Sequence, residues 1–282
     1  MIVPDIGISS ACFYPDETLD AVKRCLKLGF RNIEIFMNSF SELEEPYLRE
    51  LASVCRSDGA RIVSLHPFTS GYEYMLFFSA YKKRAADSCE FYRRYFHAAA
   101  YLGAEYTVFH GDSLRAPFVG MDRYCEVYAL LAETAISEGV TLAHENVSSA
   151  RGGDPAFMRE LRGRIGDISF VFDIKQALRA GHEPFEMIDA MGDRIRHVHI
   201  NDWCYGNDGS REDGCRLPGS GDLDLSGIIA RLDSSGYTGR CMIEVYRKNF
   251  NVPEDIAASA ERLRRLYPHF PRSGSGAEQS CW

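Results

Sequence analysis

A short β-rich run followed by a segment of helical apolar spacing recurs eight times along this 282-residue chain. The β-rich runs cover residues 5–9, 32–36, 61–66, 106–110, 140–147, 168–173, 195–201 and 240–245. The helical segments cover 18–28, 45–57, 74–102, 121–137, 155–164, 184–191, 225–235 and 253–266. In the first of them Leu19, Val22 and Leu26 fall on one face. Gly29, Gly103, Gly139 and Gly236 follow helical segments, where a left-handed residue ends a helix easily. Pro155, Pro184 and Pro253 stand near helix starts, where a missing N–H costs little. Strands that alternate with helices pair in parallel, and eight such units close on themselves rather than spreading into an open sheet. The expected fold class is therefore α/β, a (β/α)8 barrel of eight parallel strands in a single domain. Residues 1–270 are expected to form the barrel and 271–282, with a Ser-Gly-Ser-Gly stretch, a flexible C-terminal tail. No G-x-G-x-x-G follows an early strand, which argues against a dinucleotide-binding sheet.

Charge and cysteine usage narrow the function classes. The formal net charge is -8, whereas non-specific nucleic-acid binding needs many Lys and Arg to neutralise phosphates. No nucleic-acid partner is expected. No apolar run is long enough to cross a bilayer, and the N-terminus lacks a basic stretch followed by an apolar one. The nine cysteines are scattered singly, without a C-x-x-C pair, so they read as free thiols packed like small hydrophobes. No membrane contact is expected, and the cytoplasm is the expected location.

In a barrel of this kind chemistry gathers at the C-terminal ends of the strands. Here six strands finish in His, Asp or Glu: at His66, His110, Glu145, Asp173, His199 and Glu244. Side chains alternate along a strand, so these can point inward while Leu65, Phe109, Phe172 and Ile243 face the helices. Taken singly, a carboxylate at a strand end is as readily a helix cap, and a His as readily hydrogen-bonded scaffold. Taken together, three carboxylates at one barrel mouth would repel one another and raise each other's pKa unless a positive charge sat among them. A divalent cation relieves that repulsion. Mixed O/N donors suit Mn²⁺, Zn²⁺ or Co²⁺ better than Ca²⁺. One divalent ion is expected, Mn²⁺ or Zn²⁺ first, with Co²⁺ or Mg²⁺ as alternatives.

These residues resemble the xylose-isomerase-like TIM barrel superfamily over roughly residues 2–266. That group includes sugar phosphate isomerases and epimerases, ketose 3-epimerases, inosose dehydratases and endonuclease IV. The resemblance to ketose 3-epimerases implies that Glu145, Asp173, His199 and Glu244 hold the metal, with the run His197-Val198-His199-Ile200-Asn201-Asp202 matching the strand-seven signature. The segment Arg216-Leu217-Pro218-Gly219-Ser220-Gly221-Asp222 is similar to the epimerases' R-V-P-G-x-G loop, which implies that Arg216 contacts substrate; an exposed loop arginine is the alternative. Departures from the pattern matter too. Endonuclease IV uses three zinc ions; His66, His110 and Glu145 meet its first site. Where its third site has a His and an Asp-x-His, this chain has Gln176 and then Asp213-Gly214-Cys215. Gln176 also replaces a substrate-holding His of the epimerases, and Arg151 falls where they carry a substrate-contacting Glu.

The resemblance implies a divalent-metal-dependent sugar, sugar-phosphate or polyol isomerase or epimerase. Glu145 and Glu244 would be its acid/base pair, acting through a metal-stabilised enediolate. The alternatives are a metal-dependent phosphodiesterase of the endonuclease IV kind and an inosose-dehydratase-like lyase. His66 and His110 are expected to contact substrate; a second metal held with Glu145 is the other use. Lys175, two residues beyond Asp173, suits an anionic or carbonyl oxygen of substrate, or else lies solvated at the strand-helix junction. His197, Glu34 and Gln176 are expected to hold ligands in place rather than bind the metal. His144 is read as packing, His182 as able to enter the site, and Phe68, Tyr72 and Trp203 as an apolar wall. The expected partner is a small sugar or polyol, and self-association into a homo-oligomer is open.

Overall fold

The computed structural model describes residues 5–206 and 214–266. The tail expected at 271–282 and Asp213 lie outside the described residues. Eight parallel strands close into a barrel: β1 (Ile6–Ser9), β2 (Asn32–Phe36), β3 (Arg61–His66), β4 (Tyr106–Phe109), β5 (Thr141–Glu145), β6 (Ser169–Asp173), β7 (Ile195–Ile200) and β10 (Cys241–Ile243). β1 pairs with both β2 and β10, which completes the ring. Between β7 and β10 the chain adds an antiparallel ribbon, β8 (Asp202–Trp203) with β9 (Cys215–Arg216). The helices are α1 (Thr18–Lys27), α2 (Glu45–Ser57), α3 (Glu73–Phe77), α4 (Lys82–Leu102), α5 (Met121–Ser137), α6 (Pro155–Arg164), α7 (Ile174–Arg179), α8 (Pro184–Met191), α9 (Leu225–Ser234) and α10 (Glu254–Leu266).

Alternation along the strands divides the molecule into two packed zones. Leu65, Phe109, Phe172 and Ile243 join the continuous apolar layer between strands and helices. Their neighbours Val108, Ala143 and Val171 form a separate small cluster, as expected for side chains on the barrel's inner face. The other buried strand residues include Glu34, Ser64, His197 and His199, so the barrel is lined by a hydrogen-bonded network as well as by aliphatic layers. The strand register shifts at Ile33/Glu34 in β2 and at Phe170/Val171 in β6. The eight described cysteines are free thiols, six of them buried.

The helices depart from the sequence expectation in two places. The segment expected as one helix over 74–102 is broken between α3 and α4. Phe77 and Phe78 are both buried, against Tyr92 and Phe109 and against Tyr124 respectively. Successive residues of one helix point about 100° apart, so two adjacent rings enter the core more easily where the helix ends. The helix α7 begins directly after β6, with Asp173 as its N-cap. Six residues are too few to show a helical period. Among the described residues no helix is long and apolar enough to cross a membrane.

Candidate active site

The strand ends bring Glu145, Asp173, His199 and Glu244 together, each offering a donor atom within 4.8 Å of the others. Asp173 and His199 are register partners on β6 and β7, and His199 is also the partner of Met242 on β10. His199 is central. Its Nδ1 lies 3.5 Å from a Glu145 oxygen, 3.5 Å from Asp173 Oδ2 and 3.4 Å from Glu244 Oε2, yet hydrogen-bonds to none of them. Its Nε2 donates to Glu34 Oε2 at 3.1 Å. An imidazole whose far nitrogen donates to a carboxylate presents the near nitrogen's lone pair, which is how metal-ligating histidines are held.

The electrostatics fit a cation. Burial opposes charge on His199, but the carboxylates around it, Glu34 first and then Glu244, Asp173 and Glu145, outweigh it and lift its pKa well above the usual imidazole value. Burial would raise Glu145 and Asp173 as well. His110, His199 and His66 instead hold Glu145 well below the usual carboxylate range, and Lys175 with His199 lowers Asp173. Buried carboxylates in this arrangement favour whatever positive charge is nearest, and a divalent ion at Nδ1 would take the place of the imidazole's second proton. Glu145, Asp173, His199 and Glu244 are thus a donor set of the right chemistry for a divalent ion.

Glu34 ties three strands beneath this cluster. One oxygen accepts from Ser64 Oγ at 2.7 Å, from His197 Nε2 at 2.9 Å and from His199 Nε2. Asn201 donates to Asp173 Oδ1 at 3.2 Å. The side chain of Asn146 and the backbone of Asp173 exchange two bonds, at 2.7 and 2.9 Å. The amide oxygen of Gln176 accepts from the Ser148 backbone and hydroxyl, holding the loop after β5, and its backbone N–H donates to Asp173 Oδ1 at 3.2 Å.

A second donor set adjoins the first. The Nε2 atoms of His66 and His110 are 3.0 Å apart, and His110 Nε2 is 3.0 Å from Glu145 Oε2. Glu145 therefore faces His199 with one oxygen and the two imidazoles with the other. The pair titrates apart. Burial lowers His110, while on His66 the attraction of Glu145 outweighs burial and raises it.

A cavity of about 480 Å³ opens above, lined by His66, His110, Glu145, Lys175, Gln176 and Glu244 at its polar end. Phe36, Phe68, Tyr72, Tyr14 and Tyr246 form its aromatic wall. Asp173 and His199 are not part of that lining. Lys175 was expected to meet a substrate oxygen or solvent, but its ammonium is held by Asp173 and Glu244, and its side chain is 3% exposed. Three other expectations move. Trp203 is buried off the cavity, as its Nε1 lies against the Gly214 backbone. Arg216, on β9, is not among the cavity's lining residues. His182 lies beside Glu186 in a separate groove, near Arg151. Arg151 itself reaches away to the buried Asp112 at 2.9 Å and to the Ala116 carbonyl. His144 packs behind the strands, as a neutral ring between the Tyr124 hydroxyl and the Glu145 carbonyl.

Two supporting carboxylates went unforeseen. Glu73 accepts from the backbone N–H groups of His110 and Gly111, both at 2.7 Å, and so fixes the turn that carries His110. Asp202 accepts from the backbone of Trp203, Gly219, Gly221 and Leu223, gathering the Pro-Gly-x-Gly loop. Glu73 carries no sequence signal, being one acid at the edge of a helical segment. Asp202 had one in the glycines spaced after it, whose bare N–H groups need an acceptor.

The chain is similar to known proteins over most of its length. The chain is 24% identical over 261 residues to a fructoselysine 3-epimerase of Escherichia coli O157:H7, covering 88% of this chain and 93% of that one. It is 24% identical over 267 residues to a 3-dehydroshikimate dehydratase of Pseudomonas aeruginosa, covering 89% of this chain but 39% of that protein. A solved structure of the IOLI protein with a bound zinc atom superposes with a TM-score of 0.76 at 18% identity, over 95% of this chain and 99% of that one. The profile of one family matches residues 22–266, and the chain belongs to that family, the xylose isomerase-like TIM barrels.

Proposed function

We propose that this protein is a divalent-metal-dependent epimerase or isomerase that moves a proton on the carbon beside a carbonyl of a small, unphosphorylated sugar or polyol-derived ketone. One observation carries the reading. Of the four clustered donors, Glu145 and Glu244 line the cavity, whereas Asp173 and His199 do not. Two carboxylates from different strand ends therefore face the cavity, over a floor suited to a cation. Glu145, Asp173, His199 and Glu244 would hold the metal, which when bound would polarise the substrate's carbonyl and the hydroxyl beside it.

The chain's own residues do the rest. Glu145 and Glu244 take and return the proton, one on each side of the reacting carbon. His66 and His110 stand within reach of a hydroxyl next to Glu145. The aromatic wall covers the apolar faces of a sugar ring and excludes water. A phosphate is held most strongly by a Lys or Arg left unmatched by protein carboxylates. Among the described lining residues the one Lys or Arg is Lys175, already shared between two carboxylates. The fructoselysine epimerase and the dehydratase both support a site built for removal of a proton next to a carbonyl, since epimerisation and dehydration can begin with that step.

The test is solvent deuterium uptake. Ketoses and their phosphates, incubated with the protein and Mn²⁺ in D₂O, should gain deuterium at the carbon beside the carbonyl, unphosphorylated ones preferentially. Glu244→Gln should stop that exchange. Exchange unaffected in Glu244→Gln with metal retained would show that Glu244 moves no proton. Loss of water from the substrate would place the protein with the dehydratases instead.

A further inference from the structure

Lys175 bonds Asp173 Oδ2 and Glu244 Oε2 at once. Those are the same two oxygens that face His199 Nδ1, at 3.5 and 3.4 Å. The first turn of α7 delivers the ammonium: Asp173 caps the helix and Lys175 stands two residues on, buried at the cavity floor. Three carboxylates of the cluster carry three negative charges, and Lys175 supplies one positive charge among them. A divalent ion held by Asp173, Glu244 and His199 would claim the oxygens that the ammonium holds. Two cations on one pair of oxygens, within about 4 Å of each other, repel strongly away from bulk water. The lysine has somewhere to go. It lines the cavity, and the ring of Tyr246 lies 5.9 Å from its Nζ.

We propose that Lys175 is a tethered competitor for the metal. Metal binding displaces its ammonium from Asp173 and Glu244 toward Tyr246 and the cavity, and the side chain thereby sets how much metal is needed to load the site. The four-donor metal site proposed above is the premise. On this account Lys175 is a residue that sets metal affinity, and its charge opposes the ion even though its bonds hold the carboxylates in place.

The experiment has two arms on the full-length protein. In the first, wild type, Lys175→Met and Lys175→Gln are titrated with Mn²⁺ by calorimetry and with Co²⁺ by its visible absorption, after circular dichroism has shown each to be folded. Removing the positive charge should tighten binding by about tenfold or more in both variants. In the second, wild type is treated with acetic anhydride with and without Mn²⁺, and acetylation of Lys175 is read by peptide mass spectrometry. Metal should raise it several-fold. Equal or weaker metal binding by the folded variants, or acetylation that does not rise with metal, overturns the proposal. Measurable binding of equal strength in all three proteins would sink the competitor role alone, whereas no binding by any of them would sink the metal site itself. Should both variants fail to fold, the acetylation arm decides.

Discussion

Replacing Glu34 by Gln removes one charge from the network under the site with little change in shape. Glu34 is fully buried, and one of its oxygens accepts three hydrogen bonds, at 2.7, 2.9 and 3.1 Å, while the other has no partner. In Glu34→Gln the carbonyl can still face Ser64, His197 and His199, but each bond loses the carboxylate's charge and weakens by about 1 kcal/mol. The new amide NH₂ then occupies the partnerless position, at a cost of about 1–3 kcal/mol. Relief from burying a charge offsets part of this, so the net loss should be about 2–4 kcal/mol in urea denaturation. The effect on metal follows from His199, whose Nδ1 faces the donor cluster because its Nε2 donates to Glu34. Without a carboxylate to fix that orientation, Mn²⁺ affinity should fall by about 10–100-fold. A folded Glu34→Gln protein that binds Mn²⁺ within about twofold of wild type would refute the reasoning, because the carboxylate would then have no hold on the ligand.

Further consequences can be checked on the same protein. Burial, with His110 adding to it, lowers His144 to about 4, so the folded chain refuses a proton that the unfolded chain accepts near 6.5. Stability from this residue is complete above about pH 6.5 and is lost as pH falls toward about 4, by about 3 kcal/mol in all. The difference in stability between wild type and His144→Gln should shift by that amount across the window; parallel profiles would contradict it. Gly111 has φ +84°, and a Cβ there would lie 2.0 Å from the Tyr124 hydroxyl and 2.9 Å from His144 Nε2. Gly111→Ala should therefore cost about 3 kcal/mol or more, and a thermal midpoint within a degree of wild type would show that the turn can relax.

The barrel was legible because its signal is repeated and local. Strands β2 and β3 and helices α2, α5, α6 and α8 match the sequence-based expectation residue for residue, since turn glycines, initial prolines and apolar periods agree at those places. The convergence of Glu145, Asp173, His199 and Glu244 was legible for a topological reason: parallel strands in a closed ring bring their C-terminal ends to one rim. Side-chain reach was not legible. Lys175 could be placed near Asp173 by its spacing, but not its grip on Glu244, 69 residues away. Arg151 and Glu73 likewise depend on loop paths, which bring Arg151 to Asp112 and Glu73 to the turn at His110. The break between α3 and α4 follows from where Phe77 and Phe78 find room, a property of the assembled core rather than of the segment.

Equilibrium dialysis of the purified protein against Mn²⁺, with bound ion counted by elemental analysis, tests the four-donor site most directly. The expected result is one ion per chain in wild type and none retained at the same free concentration in folded His199→Gln. Three ions per chain, or a single ion held undiminished by His199→Gln, would mean that Glu145, Asp173, His199 and Glu244 do not share one metal.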